Sequence, residues 1–138
     1  SPECNLADYK GQVVVLYFYP KDDTPGCTIE AREFAANKQV FDKLNALVFG
    51  VSKDSSKSHD KFREKYCLNF PLISDTDSSI CQNYGTLVSK SMFGKSYLGI
   101  ARSTFLIDKE GRIAYIWNNV KVNDHALEVI DKIKQLNL

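Results

Sequence analysis

Among the residues able to do covalent chemistry, one cysteine stands in a setting suited to it. Cysteines occur at 4, 27, 67 and 81, and the only histidines are His59 and His125. Cys27 closes the run Pro20-Lys21-Asp22-Asp23-Thr24-Pro25-Gly26-Cys27, between the unbroken apolar stretch Val13 to Tyr19 and a segment of helical periodicity. A thiol delivered to a helix N-terminus faces unpaired backbone N–H groups and the positive end of the helix dipole, and both favour thiolate over thiol. Thr24 can turn its hydroxyl into the same pocket. Pro20 and Pro25 stiffen the turn, and Gly26 allows a backbone geometry that a side chain would forbid. The pattern reads as an activated nucleophile, against the plainer alternative of a small inert core residue.

The remaining candidates are weaker. No two cysteines have the C-x-x-C spacing of a zinc knuckle or a dithiol oxidoreductase, so neither metal nor cofactor is expected. Cys67 and Cys81 fall on predicted helices, where buried structural cysteine is the usual outcome, and Cys4 lies in a polar N-terminal stretch. His59 and His125 fall near predicted helix starts without ligand or triad spacing and read as solvated surface residues.

The elements that must position Cys27 follow from periodicity. Residues 1 to 11 read as a polar loop. Val13 to Tyr19 is apolar on both faces and rich in β-branched and aromatic residues, as a central strand requires. Ile29, Phe34, Val40, Phe41 and Leu44 suit one amphipathic helix from Thr28 to about Leu44, with Glu30 in its first turn. Leu47 to Ser52 is a second strand, and Ser55 or Ser56 can cap a helix running to about Cys67. Phe70 to Ser74, with its proline, reads as an edge strand, and Asp75 to Tyr84 as a short helix ending at Gly85. Residues 86 to 101 read as a long loop. Arg102 to Ile107 and Arg112 to Trp117 form a hairpin about Asp108-Lys109-Glu110-Gly111, and Asn123 or Asp124 caps a last amphipathic helix. The order β-α-β-α-β-α-β-β-α describes an α/β chain, a mixed sheet with helices on its faces, consistent with a single thioredoxin-like domain over residues 1–138.

Composition excludes several classes. The 138 residues carry 18 basic and 17 acidic side chains, a net charge of +1 with no nucleic-acid footprint. No apolar run approaches the roughly 18 residues of a membrane span, and the N-terminus is too polar for a signal peptide. The expected setting is the cytoplasm with reduced thiols, or an organelle if a targeting segment was removed.

These residues also carry a resemblance. Pro20-x-x-x-Thr24-x-x-Cys27 matches the signature of peroxiredoxins. Tyr17 to Cys27 with Thr28-x-Glu30-Ala31, Ser91 to Lys95, and Gly99-Ile100-x-Arg102-Ser103-Thr104-Phe105-Leu106-Ile107-Asp108 resemble the bacterioferritin comigratory protein, or PrxQ, branch. The resemblance implies a thioredoxin fold and a monomeric thiol peroxidase. Its substrates would be hydrogen peroxide and organic hydroperoxides, and thioredoxin, glutaredoxin or glutathione would recycle it. It makes Cys27 the peroxidatic cysteine, Thr24 a hydrogen-bond partner of thiolate and peroxide, Pro20 a shield over the sulfur, Arg102 the active-site arginine and Glu30 the residue that holds it. Two positions where the branch places a resolving cysteine are Arg32 and Arg63 here, and the hairpin that usually opens the domain is not seen. Cys67, Cys81 and Cys4 remain as resolving candidates, beside a one-cysteine mechanism with an external thiol. A redox sensor or chaperone that signals without turnover, and a non-catalytic α/β binding module, are the alternative functions.

Overall fold

The computed structural model describes residues 6–138; Cys4 lies outside them. Five strands form one sheet in the order β3-β2-β1-β6-β7, built from β1 (Val13–Phe18), β2 (Ala46–Ser52), β3 (Leu72–Ser74), β6 (Ser103–Ile107) and β7 (Ile113–Trp117). β1 runs parallel to β2 and antiparallel to β6, with Tyr17 opposite Gly50 on one side and Thr104 on the other. Every residue of β1 is buried. Successive side chains point to opposite faces, so Val13, Val15 and Tyr17 enter one core and Val14, Leu16 and Phe18 the other. The first core receives α1 (Pro25–Ala36), α2 (Lys38–Lys43), α3 (Ser56–Tyr66) and α5 (His125–Gln135). The second receives α4 (Ser79–Asn83) and the 3₁₀ turn Leu6–Tyr9. The α/β architecture, the edge position of the proline-led strand β3 and the 103–117 hairpin agree with the sequence reading.

Three boundaries differ. Residues 86–101 are not a loop: β4 (Leu87–Met92) and β5 (Lys95–Ile100) form a separate antiparallel hairpin. Its turn is Phe93-Gly94, both at positive φ (53° and 78°), as the tightest hairpin turns require. Most of its residues face solvent, so no apolar alternation marks it in the sequence. The single helix expected from Thr28 to Leu44 is two helices, broken at Asn37, whose amide donates to the Glu33 carbonyl (2.8 Å) in competition with the helix ladder. Finally, α1 begins at Pro25, a proline in its first turn, so Glu30 lies in the second turn, not the first. No helix among the described residues is long and apolar enough to cross a membrane.

Candidate active site

Cys27 is the third residue of α1, where its backbone sits among the unpaired N–H groups of the first turn. Thr24 is the N-cap, and its carbonyl accepts from Thr28 N–H (2.8 Å). Its hydroxyl donates to the Lys21 carbonyl (2.9 Å), closing the turn on itself instead of capping the helix. The cysteine side chain is 1% exposed.

Arg102, in the short link between β5 and β6, completes the site. Its Nη2 donates to Cys27 Sγ (3.4 Å) and its Nη1 to Glu30 Oε1 (2.7 Å). One face of the guanidinium fork thus reads a sulfur and the other a carboxylate, a division that suits arginine's fixed donors. Glu30 is 1% exposed. Burial pushes its carboxyl up to about 7, against the pull of Arg102, which acts to lower it. Arg102 loses hydration in the same place, yet the charges of Glu30 and Cys27 hold its proton more firmly than usual. Glu30 Oε2 has no hydrogen-bond partner among the described residues.

Gly26 owes its place to space and not to backbone conformation. It is absent from the glycines at positive φ, but a Cβ there would stand 3.1 Å from Arg102 Nη2. Glycine lets the guanidinium lie against the helix start. Pro20, half-buried, follows β1 by two residues, and with Lys21, Lys53, Asp54, Lys90, Tyr97 and Ile100 it borders a hollow of about 290 Å³ beside the β4–β5 hairpin.

The structure thus brings Cys27 and Glu30 together on the Arg102 guanidinium, with Thr24 at the N-cap position of the same helix. It separates the other thiols. Cys81 is buried in the second core, across the sheet from Cys27. Cys67, expected to be buried, is exposed: it ends α3 in the left-handed conformation (φ 53°), beyond the last helical turn. Among the described residues no disulfide forms, and Cys27, Cys67 and Cys81 are free thiols.

Both histidines also depart from the sequence reading, since each is 1% exposed. His125 Nε2 lies 2.8 Å from Thr104 Oγ1, and burial draws the ring's affinity for a second proton below the ordinary value. His59 Nδ1 lies 2.7 Å from Asp22 Oδ2. A helix start is amphipathic, and these two rings occupy its inner side; their polar spacing alone does not reveal that.

The chain is similar to known proteins over nearly its whole length. A family model described as the AhpC/TSA family matches residues 2–116. Peroxiredoxin Bcp of Bacillus subtilis is 48% identical over 132 residues, covering 96% of this chain and 84% of its own. Peroxiredoxin Bcp of Xanthomonas campestris is 46% identical, covering 96% and 82%. A solved structure of the Xanthomonas campestris bacterioferritin comigratory protein, studied for its alkyl peroxide reduction activity, superposes with a TM-score of 0.93. It shares 45% identity and covers 96% of this chain and 83% of that one.

Proposed function

The chain belongs to the AhpC/TSA family as a peroxiredoxin, a thiol peroxidase that takes a peroxide substrate and a thiol reductant, and from that premise we propose that Cys27 is its peroxidatic cysteine. The observation that carries the reading is the Arg102 fork, which bonds Cys27 Sγ and the buried Glu30 at once. Peroxide reduction needs a thiolate that attacks one oxygen while the O–O bond breaks and the other oxygen leaves as alkoxide or hydroxide. Sulfur loses two electrons and becomes a sulfenic acid, and the departing oxygen takes up a proton from solvent. Donors that follow the charge from sulfur to the leaving oxygen lower the barrier.

Arg102 is aimed to do this, and Glu30 fixes its angle. The Thr24 hydroxyl, already donating to Lys21, keeps lone pairs that accept the O–H of a bound hydroperoxide. Pro20 closes the strand side of the turn and limits water around the sulfur. Hydrogen peroxide and organic hydroperoxides both present the required O–O bond.

The sulfenic acid must next condense with a thiol, releasing water and forming a disulfide. Cys81 is poorly placed for this, behind the sheet, and burial followed by the neighbouring Asp75 pushes its thiol up to about 12. The exposed Cys67, on the α1 side of the sheet, and an external thiol of the thioredoxin, glutaredoxin or glutathione type are the remaining routes. The experiment is peroxide consumption with each reductant system, for the unaltered protein and for Cys27→Ser. Sustained turnover lost in Cys27→Ser supports the reading; turnover that survives the substitution overturns it.

A further inference from the structure

Between Pro20 and Thr24 the chain is bound less to itself than to α3 and the strands behind it. Asp22, only 8% exposed, receives three donors. Tyr19 O–H donates to its Oδ1 (2.6 Å), Ser58 Oγ donates to its Oδ2 (2.8 Å), and His59 Nδ1 stands 2.7 Å from that same oxygen. His59 Nε2 lies 3.1 Å from the Ile73 carbonyl, so the ring spans from Asp22 to β3. The Asp22 N–H donates to Asp54 Oδ2 (2.9 Å), which also accepts from Ser52 Oγ (2.7 Å). One residue on, Asp23 adopts the left-handed conformation (φ 56°) and accepts from Lys65 Nζ (2.8 Å) and Tyr66 O–H (2.7 Å).

The turn is therefore riveted along α3 from Ser58 to Tyr66, and through His59 to β3. Burial alone would push the Asp22 carboxyl up, but the hydrogen bonds from His59, Tyr19 and Ser58 and the nearby His59 charge hold it below the ordinary carboxylate range. Asp22, Asp54 and His59 bring their ligand atoms within 4.8 Å of one another, which invites a cation. The donors just named already occupy Asp22 Oδ2 and Asp54 Oδ2, and a metal ion would have to displace them. The cluster is built to hold protein against protein.

We propose that Asp22 and His59 are a positioning pair for peroxide reduction, fixing the 20–24 turn on α3 so that Thr24 and Cys27 stay in register with Arg102. The inference rests on Cys27 being the reacting thiol. Sulfur and guanidinium come from different elements, α1 and the link before β6, and nothing covalent near the site sets their separation. Displacement of a reacting group by about 1 Å can cost about a hundredfold in rate. A buried carboxylate with an imidazole, a phenol and a hydroxyl around it is stiff, and removing one charged member leaves the other unpaired.

The test compares two reactions of Cys27 in Asp22→Asn, His59→Gln, their double variant and Ser58→Ala. One is the stopped-flow rate constant for a single turnover with hydrogen peroxide. The other is alkylation by iodoacetamide, which needs the thiolate but not the aligned donors. The expected result is a peroxide rate lower by about 10–100-fold in Asp22→Asn and His59→Gln, with alkylation within about threefold. The double variant falls no further than the worse single one, because the two residues act as a unit. Ser58→Ala keeps the pair but loses one donor, and its peroxide rate falls by about two- to fivefold. Folded Asp22→Asn or His59→Gln with an unchanged peroxide rate would overturn the proposal, as would peroxide and alkylation rates falling together. If these variants do not fold, Ser58→Ala decides, and an unchanged peroxide rate there overturns it. Failure of the unaltered Cys27 to react with peroxide is a separate result and removes the reading of Cys27 itself.

Discussion

Cys27 and Cys81 are alike in where the fold puts them. Each is the third residue of a helix, each is at most 1% exposed, and each lines a core on one side of β1. They differ in what occupies the helix start. At α4 the carboxylate of Asp75 takes the N–H of Ile80 (3.0 Å) and of Cys81 (2.8 Å), so the dipole is answered before the thiol can use it. Burial and that adjacent negative charge push the Cys81 thiol up to about 12. At α1 the N-cap side chain turns away to Lys21, and a guanidinium fills the space beside the sulfur. A helix N-terminus does not by itself make a reactive thiol; the charge sharing it decides.

The sharpest way to break this comparison is to remove each sulfur in turn. Cys27→Ser should lower single-turnover peroxide reduction by at least about a thousandfold, whereas Cys81→Ala should stay within about threefold and lose stability by about 1–2 kcal/mol. Chemical denaturation and stopped-flow kinetics measure the two effects. Next in size is the guanidinium. Arg102→Gln keeps a donor but not the charge, and its peroxide rate should drop by about a hundredfold; a drop of less than about threefold would move the source of activation to the helix alone.

Glu30 sharpens the contrast through pH. Its carboxyl titrates at about 7 in the folded protein, above the ordinary 4.5, so the folded state keeps a proton that the unfolded chain releases between those values. The stability this contributes is complete below pH 4.5 and is lost as pH rises through 7, at most about 3 kcal/mol. The unaltered protein should therefore lose stability relative to Glu30→Gln across that window. Parallel melting curves for the two proteins over that range would refute it. The smallest effect belongs to Gly26→Ala, whose methyl meets Arg102 Nη2 at 3.1 Å; a rate reduced by about tenfold with an intact melting temperature is expected.

How much of this was legible beforehand depends on the range of the interaction. The apolar run ending at Tyr19 and the Thr24-Pro25-Gly26-Cys27 turn are local, and periodicity and turn chemistry suffice to place Cys27 at a helix start. Arg102 stands 75 positions beyond Cys27 and opens a predicted strand, and only the family motif singles it out. Asp22 and His59 are 37 residues apart and both polar, so neither hydropathy nor spacing marks them as a buried pair. The 87–100 hairpin escaped for the opposite reason: both faces are largely wet, and a strand without an apolar side has no period to read. Its one local cue was the Phe93-Gly94 turn. Gly26 reads in the sequence as a conformational glycine, but its reason lies across the site in Arg102.

The most direct test of the central claim is peptide-mapped mass spectrometry of the fully reduced protein after one equivalent of hydrogen peroxide. Cys27 should carry the change, as one added oxygen or as a disulfide, while the Cys81 peptide stays unmodified. Oxidation at Cys81, or a Cys27 peptide left untouched while peroxide is consumed, would contradict it.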